Sequence, residues 1–299
     1  MTEAPTPAPG RVPADRAELR RGVLVDADEL AALLAGDAPP ALLDVRWALG
    51  RTDGREQHHA GHVPGAVYVD LDTELAAPAS AAAGRHPLPA LADLERAARR
   101  WGLRQGQAVV VYDAGGGTSA ARAWWLLRWA GVRDVRLLDG GLAAWAGAGH
   151  ALEAGEVVPQ RGDVVLVADR LPTVDADGAA ALAADGVLLD ARAVERYAGE
   201  SEPVDPRAGH VPGAVSAPTT GNLGADGRFL PADALAARFA ALGVPPADAG
   251  RRVGVYCGSG VTAAHEVAAL ATLGVDAALY PGSWSQWSHD ADRPVAVGR

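Results

Sequence analysis

The sequence has one cysteine, one methionine and two phenylalanines among 299 residues, and no lysine. A single cysteine, Cys257, excludes an intramolecular disulfide framework and any cysteine-rich metal centre, and suits a chain kept reduced in the cytoplasm. No apolar run approaches the ~20 residues a membrane span needs. The opening "MTEAPTPAPGRVPADRAELR" lacks the apolar core of a secretory signal, and its Pro- and Ala-rich composition predicts a disordered arm over residues 1–21. Positive charge is also short: 27 Lys and Arg face 37 Asp and Glu, a net charge of −10 that opposes nucleic acid and anionic membranes as partners. The histidines do not fall in ligand spacing with carboxylates or thiols, so no metal is expected. "DAGGGTS" lacks both the lysine of a phosphate loop and the spacing of a dinucleotide fingerprint, so no nucleotide cofactor is expected either.

What is present is a duplication. "LLDVR" at 42–46 returns as "LLDAR" at 188–192, and "GHVPGAV" at 61–67 returns unchanged at 209–215. "VVVYDAGGGTSAAR" from Val109 aligns with "VGVYCGSGVTAAH" from Val253, and "GGLAAW" from Gly140 with "GSWSQW" from Gly282. Four collinear matches at offsets of 142 to 148 residues exceed any solenoid period and mark a whole duplicated domain. Within each half, short apolar runs ("ALLDV", "VVVYD", "VRLLD"; then "GVLLDA", "VGVYC", "AALYP") alternate with segments of helical period, the pattern of a parallel sheet covered on both faces. The fold class is therefore α/β, two tandem domains, each a small doubly wound parallel sheet with helices on both faces. Domains are expected over 22–150 and 164–299, with a linker at 151–163 where proline and charge replace periodicity.

Cys257 ends the strand "VGVYC", and "GSGVTAAHEVAAL" turns at once into a helical pattern. Ligands of open parallel sheets bind beyond the carboxyl ends of strands, and the glycines at 258 and 260 let successive amides point at one centre. Such a loop with a helix behind it favours a thiolate over a thiol. The repeat then acts as an internal control: the first half carries Asp113 where the second has Cys257, and an aspartate cannot carry a transferable sulfur. The first half is thus the inactive copy. Residues shared by both halves, the Asp44/Arg46 and Asp190/Arg192 pairs and the histidines His62 and His210, read as structural. Arg196 does not repeat, and it stands either over the Cys257 loop, ready to hold a carboxylate, or solvated at the surface. Trp284, Trp287 and Tyr280 are core residues or a pocket wall.

A strand-end cysteine in "CGSGVT", twin "GHVPGAV" motifs and an Asp-bearing first half closely resemble the tandem rhodanese-type sulfurtransferases, across about residues 38–295. The resemblance implies two rhodanese-like domains, the second active, and a sulfane sulfur carried as a persulfide on Cys257 and cradled by the amides of Gly258, Ser259, Gly260, Val261 and Thr262. It implies Arg196 for the anionic donor and a relay of Ser259 with a first-domain histidine, matching His62, and an upstream aspartate, Asp53. The family's second donor arginine is missing after Glu202-Pro203, where Val204 stands, and Arg207 is the nearest replacement. Neutral Gly258 and Ser259 suit a monoanionic keto acid, 3-mercaptopyruvate, better than the dianion thiosulfate. The expected acceptor is a thiol such as thioredoxin or glutathione, or cyanide, with no cofactor and a monomeric enzyme. Two rivals are weaker. A cysteine phosphatase needs an arginine at position 263, which is Ala, and a non-enzymatic binding module would not need Cys257.

Overall fold

A computed structural model describes residues 15–247 and 249–298. The first half forms five short strands, β1 (Leu24–Val25), β2 (Ala41–Asp44), β3 (Val67–Tyr68), β4 (Val109–Tyr112) and β5 (Val135–Leu138). All pair in parallel in the order β1-β5-β4-β2-β3. The second half repeats the plan with β6 (Val187–Asp190), β7 (Val215–Ser216), β8 (Val253–Tyr256) and β9 (Ala277–Leu279), ordered β7-β6-β8-β9. The place that β1 takes beside β5 is filled there by a single bridge, Thr173 to Leu279. These strands are β-branched and apolar because both faces are covered. Leu30, Val63 and Trp145 pack one face of the first sheet, and Leu94, Trp124 and Trp125 the other.

The two halves share a core. Helices Ala120–Trp129 and Val261–Ala271 pack against each other, and the apolar cluster on that side of the first sheet continues without a break into Val261, Ala264, Leu270 and Phe239. Small residues, Ala120, Ala121 and Ala123 against Ala263, Ala264 and Ala268, let the two backbones approach closely. Both helices follow the strand-end loops at 113 and 257, so each loop is brought to the domain boundary.

Two boundaries differ from expectation. Of the arm expected to be disordered, residues 1–14 lie outside the described residues, but Arg16–Arg21 is a helix capped by Asp15. Its Arg20 reaches Asp139 of the first half at 3.0 Å and the carbonyls of Phe229 and Leu230 in the second. That cross-domain anchor supplies the order that composition alone does not. The linker also runs beyond 163. Residues up to Arg170 still bond to the first half, through Val164 to Leu103 and Val167 to Ala130, and Val164 and Leu166 are buried there. Among the described residues no helix is long and apolar enough to cross a membrane.

Candidate active site

Cys257 follows β8 directly and is buried. Its sulfur accepts a hydrogen bond from the amide of Gly260 at 3.1 Å. Gly260 sits at φ 80°, and a Cβ there would lie 2.7 Å from the carbonyl oxygen of Pro281, so the turn that aims this amide at the sulfur requires glycine. The loop is fastened from the other side by the helix Ser283–Trp287: Ser283 Oγ accepts from the Cys257 amide, and the amides of Trp284 and Ser285 donate to the carbonyls of Cys257 and Gly258, each at 2.9 Å. Val261 and Thr262 form the first turn of the helix behind the sulfur.

Two guanidinium groups close over Gly258. A Cβ built on that glycine would stand 2.9 Å from Nη2 of Arg85 and 3.2 Å from Nη1 of Arg196. Arg196 therefore lies over the loop, held by Glu202 at 2.6 Å and Asp205 at 3.0 Å. Asp205 also contacts Arg85, so one buried carboxylate bridges the two cations. Burial, assisted by neighbouring Glu202, pushes the Asp205 carboxyl above its ordinary pKa, with Arg85 and Arg196 pulling the other way.

Ser259 Oγ lies 2.8 Å from Nδ1 of His86, and Nε2 of His86 lies 3.2 Å from the Asp72 carboxylate. The carboxylate fixes the proton on Nε2, which leaves Nδ1 to accept the Ser259 hydroxyl. Trp47 supports the arrangement, packing edge-on against His86 and donating to Asp72 at 2.9 Å. Burial first, then the charges of Arg122 and Arg85, push His86 below its ordinary pKa, so the ring is neutral at pH 7.

The relay partners expected from resemblance are elsewhere. His62 is fully buried in the first half, stacked on His58 at 4.0 Å with Nδ1 bonded to the His58 carbonyl. It repeats His210, which stacks on Tyr197 at 3.7 Å and bonds its carbonyl. The twin motifs thus fasten a loop to the preceding helix in each half, and Val63 and Val211 complete the symmetry by donating to the Tyr112 and Tyr256 hydroxyls. Asp53 pairs with Arg51 and accepts from Gln57 at 3.0 Å, in a cleft over the Asp113 loop. Arg207 does not supply the missing cation. It donates to the carbonyls of Trp287, Ser288, Asp290 and Arg293, clamping the carboxyl-terminal segment. Asp44/Arg46 and Asp190/Arg192 are buried ion pairs at 2.6 Å that tie strand ends to the carbonyls of Gly61 and Gly209. Trp284, Trp287 and Tyr280 are buried in the core of the second half.

Arg85 and His86 escaped sequence reasoning because they lie in an irregular first-half segment outside the matched motifs, and Asp72 because its short helical turn, Leu71–Glu74, has Thr220 at the matching place in the second half and no motif around it. The sequence did hold one signal, a lone "GRHP" between the helices. In the matching loop of the first half, the Asp113 carboxylate takes the place of an anion, accepting the amides of Gly115, Gly117, Ser119 and Ala120. Among the described residues no cluster of His, Cys, Asp or Glu could hold a metal ion.

The profile of the Rhodanese-like domain family matches residues 26–148 and 175–290. The chain is 49% identical over 287 residues to "Putative thiosulfate sulfurtransferase SseB" of Mycobacterium tuberculosis, covering 94% of this chain and 99% of that one. It is also 49% identical over 283 residues to "Probable 3-mercaptopyruvate sulfurtransferase" of Pseudomonas aeruginosa, covering 92% and 98%. The crystal structure of SseA from Escherichia coli, described as the rhodanese fold of 3-mercaptopyruvate sulfotransferases, superposes with a TM-score of 0.76 at 34% identity, covering 87% of this chain and 98% of that one.

Proposed function

The chain belongs to the tandem rhodanese sulfurtransferases and is itself a sulfurtransferase, and from that premise we propose that it takes sulfur from 3-mercaptopyruvate, carries it as a persulfide on Cys257 and passes it to a thiol. The relatives at 49% identity carry different donors in their names, so the choice rests on the site. The observation that carries it is the pair Arg85 and Arg196 over Gly258, each already matched by a buried carboxylate. Two cations balanced by Glu202 and Asp205 leave little excess charge for a dianion and its departing sulfite. They suffice to orient one carboxylate through forked hydrogen bonds.

In the proposed reaction the Cys257 thiolate attacks the donor sulfur, a sulfur–sulfur bond forms, and the carbon–sulfur bond breaks with its electron pair passing to carbon as the enolate of pyruvate. The S–H proton of the donor goes to neutral His86 through the Ser259 hydroxyl and returns to the enolate carbon, giving pyruvate. The loop amides, led by Gly260, hold the persulfide anion. A small thiol such as glutathione, or the exposed thiol of thioredoxin, then attacks the outer sulfur and releases the Cys257 thiolate. Each half of one chain supplies part of the site, so a monomer suffices.

Intact mass after incubation with 3-mercaptopyruvate should show one added sulfur atom on the wild type and none on Cys257→Ser, whose fold should be retained because thiol and hydroxyl differ little in volume. Steady-state assays with both donors at matched pH should give the higher kcat/KM for 3-mercaptopyruvate. A clear thiosulfate preference refutes the donor assignment, and wild-type turnover by Cys257→Ser refutes the carrier.

A further inference from the structure

Arg122 is a fully buried arginine on the inner helix of the silent domain, among the small residues of the shared core. Its guanidinium donates to four backbone carbonyls: Leu75 at 3.1 Å, Gly260 at 3.3 Å, His86 at 2.9 Å and Pro87 at 3.2 Å. One of these belongs to the Cys257 loop and one to the relay histidine. Among the described residues no carboxylate comes within ion-pairing distance of it. A buried charge without a partner costs far more than its hydrogen bonds return. The structure must therefore offer a counter-charge of another kind, and the Cys257 loop lies directly against it.

We propose that Arg122 is the resident counter-charge of Cys257, a positioning residue by which the silent domain holds the active loop and favours the anionic forms of its sulfur.

The duplication supports this independently. With one extra residue allowed in the first loop, the Ala-Ala pairs at 120–121 and 263–264 align and set Arg122 opposite His265, and each is packed against the other half's loop. Where Arg122 bonds Gly260, the ring of His265 lies 3.6 Å from a Cβ built on Gly117. His265 bonds Thr219 at 2.6 Å, and burial drives its pKa down to about 4, so it faces the Asp113 loop as a neutral ring. The cation thus faces the loop with the thiol, and the neutral ring faces the loop whose aspartate already has four amide donors. Burial lowers the pKa of Arg122 to about 10, with Cys257 the opposing influence, and it remains a cation at neutral pH. The same charge helps keep His86 neutral and able to accept the Ser259 proton. The other ionisable groups facing Cys257 are Arg85 and His86 with Asp72 from the first half, and Arg196 with Glu202 and Asp205 from the second. Of the cations among them, Arg85 and Arg196 touch Asp205 directly, and Arg122 touches no carboxylate.

The inference deepens the proposed function but rests only on Cys257 as the reactive thiol of its loop, not on its carrying sulfur or on the identity of the donor. Iodoacetamide alkylation of the single cysteine across pH 5–10 tests it without any donor. Arg122→Gln should slow alkylation at pH 7 about tenfold, with the loss recovered as the pH rises toward 10, while Arg122→Lys, which keeps a cation, should stay within about threefold of wild type. A folded Arg122→Gln protein whose curve superposes on wild type overturns the proposal. So does a Lys variant that loses as much as Gln, since the role is then one of shape. If Arg122→Gln does not fold, Arg122→Met, uncharged and close to it in volume, carries the same alkylation test, and a folded Met variant whose curve superposes on wild type overturns the proposal. A wild type that takes no sulfur from either donor yet shows the Arg122-dependent curve would defeat the proposed function and leave this inference standing.

Discussion

Arg85 comes from the domain that has no nucleophile, and its removal tests whether that domain binds the donor. Arg85→Ala deletes a guanidinium lying 2.9 Å from where a side chain on Gly258 would begin. The side chains of Arg85 and Arg196 are 24% and 19% exposed, little enough that solvent screens their contacts only in part. A hydrogen-bonded contact between a guanidinium and a carboxylate contributes ~1.5–3 kcal/mol, which is roughly ten- to a hundredfold in kcat/KM for 3-mercaptopyruvate. The loss should fall toward the upper end, because Asp205, released from Arg85, turns wholly to Arg196 and competes with the donor for the remaining cation. Steady-state kinetics of the variant with 3-mercaptopyruvate, beside alkylation by neutral iodoacetamide, separate binding from loop integrity. Alkylation should change less than about threefold, since that reagent has no carboxylate to anchor. A kcat/KM unchanged within about threefold refutes the clamp, and an equal fall in alkylation shows that Arg85 supports the loop instead.

Other perturbations follow from the same contacts. Asp205→Asn removes the carboxylate shared by both arginines and should shift the ratio of kcat/KM toward dianionic thiosulfate by about fivefold, as read in paired donor assays. Asp113→Cys should not create a second sulfur carrier, because the group facing that loop is neutral His265. Peptide mapping should show alkylation at 113 at least about tenfold slower than at 257. Glu266, fully buried beside Asn222, has its pKa pushed by burial up to about 7. A raised carboxyl stabilises the fold below its unfolded pKa and loses that contribution as pH rises through the folded one. Urea unfolding should therefore show wild type losing up to about 3 kcal/mol between pH 5 and 8 relative to Glu266→Gln, and parallel pH curves would contradict this.

The repeat made the fold readable, because the same apolar strands and strand-end loops occur twice and their spacing admits little but two parallel sheets. It also singled out Cys257, since the otherwise matched loops differ there, with Asp113 in one and cysteine in the other. Groups that reach the Cys257 loop from outside the matched segments leave no such mark in the sequence. His62 has the residue type that a relay wants, yet its copy at 210 shows the same stacking and carbonyl bond, so the duplication itself marked it as structural. Arg85 and His86 sit in a loop whose path depends on the packing of two domains, Asp72 in a single helical turn beside it, and no periodicity encodes that meeting. Arg207 was placed near the site by sequence distance, but four carbonyls at the carboxyl terminus capture it first. The order of residues 15–21 likewise depends on Arg20 finding partners on both halves, a tertiary effect overriding composition.

The apolar cluster that runs unbroken from Trp124 and Leu127 into Val261 and Leu270 has a consequence for cooperativity. Tandem domains of this size ordinarily melt as separate units when only a polar seam joins them. Here the innermost helix of each half has its apolar side completed by the other half, so neither presents a finished surface when severed. The halves should unravel in one event, and a cavity opened beneath Trp124 would loosen the thiol loop across the boundary as surely as damage beside Cys257. The copy that carries Asp113 is in this sense part of the folding unit of the copy that carries Cys257.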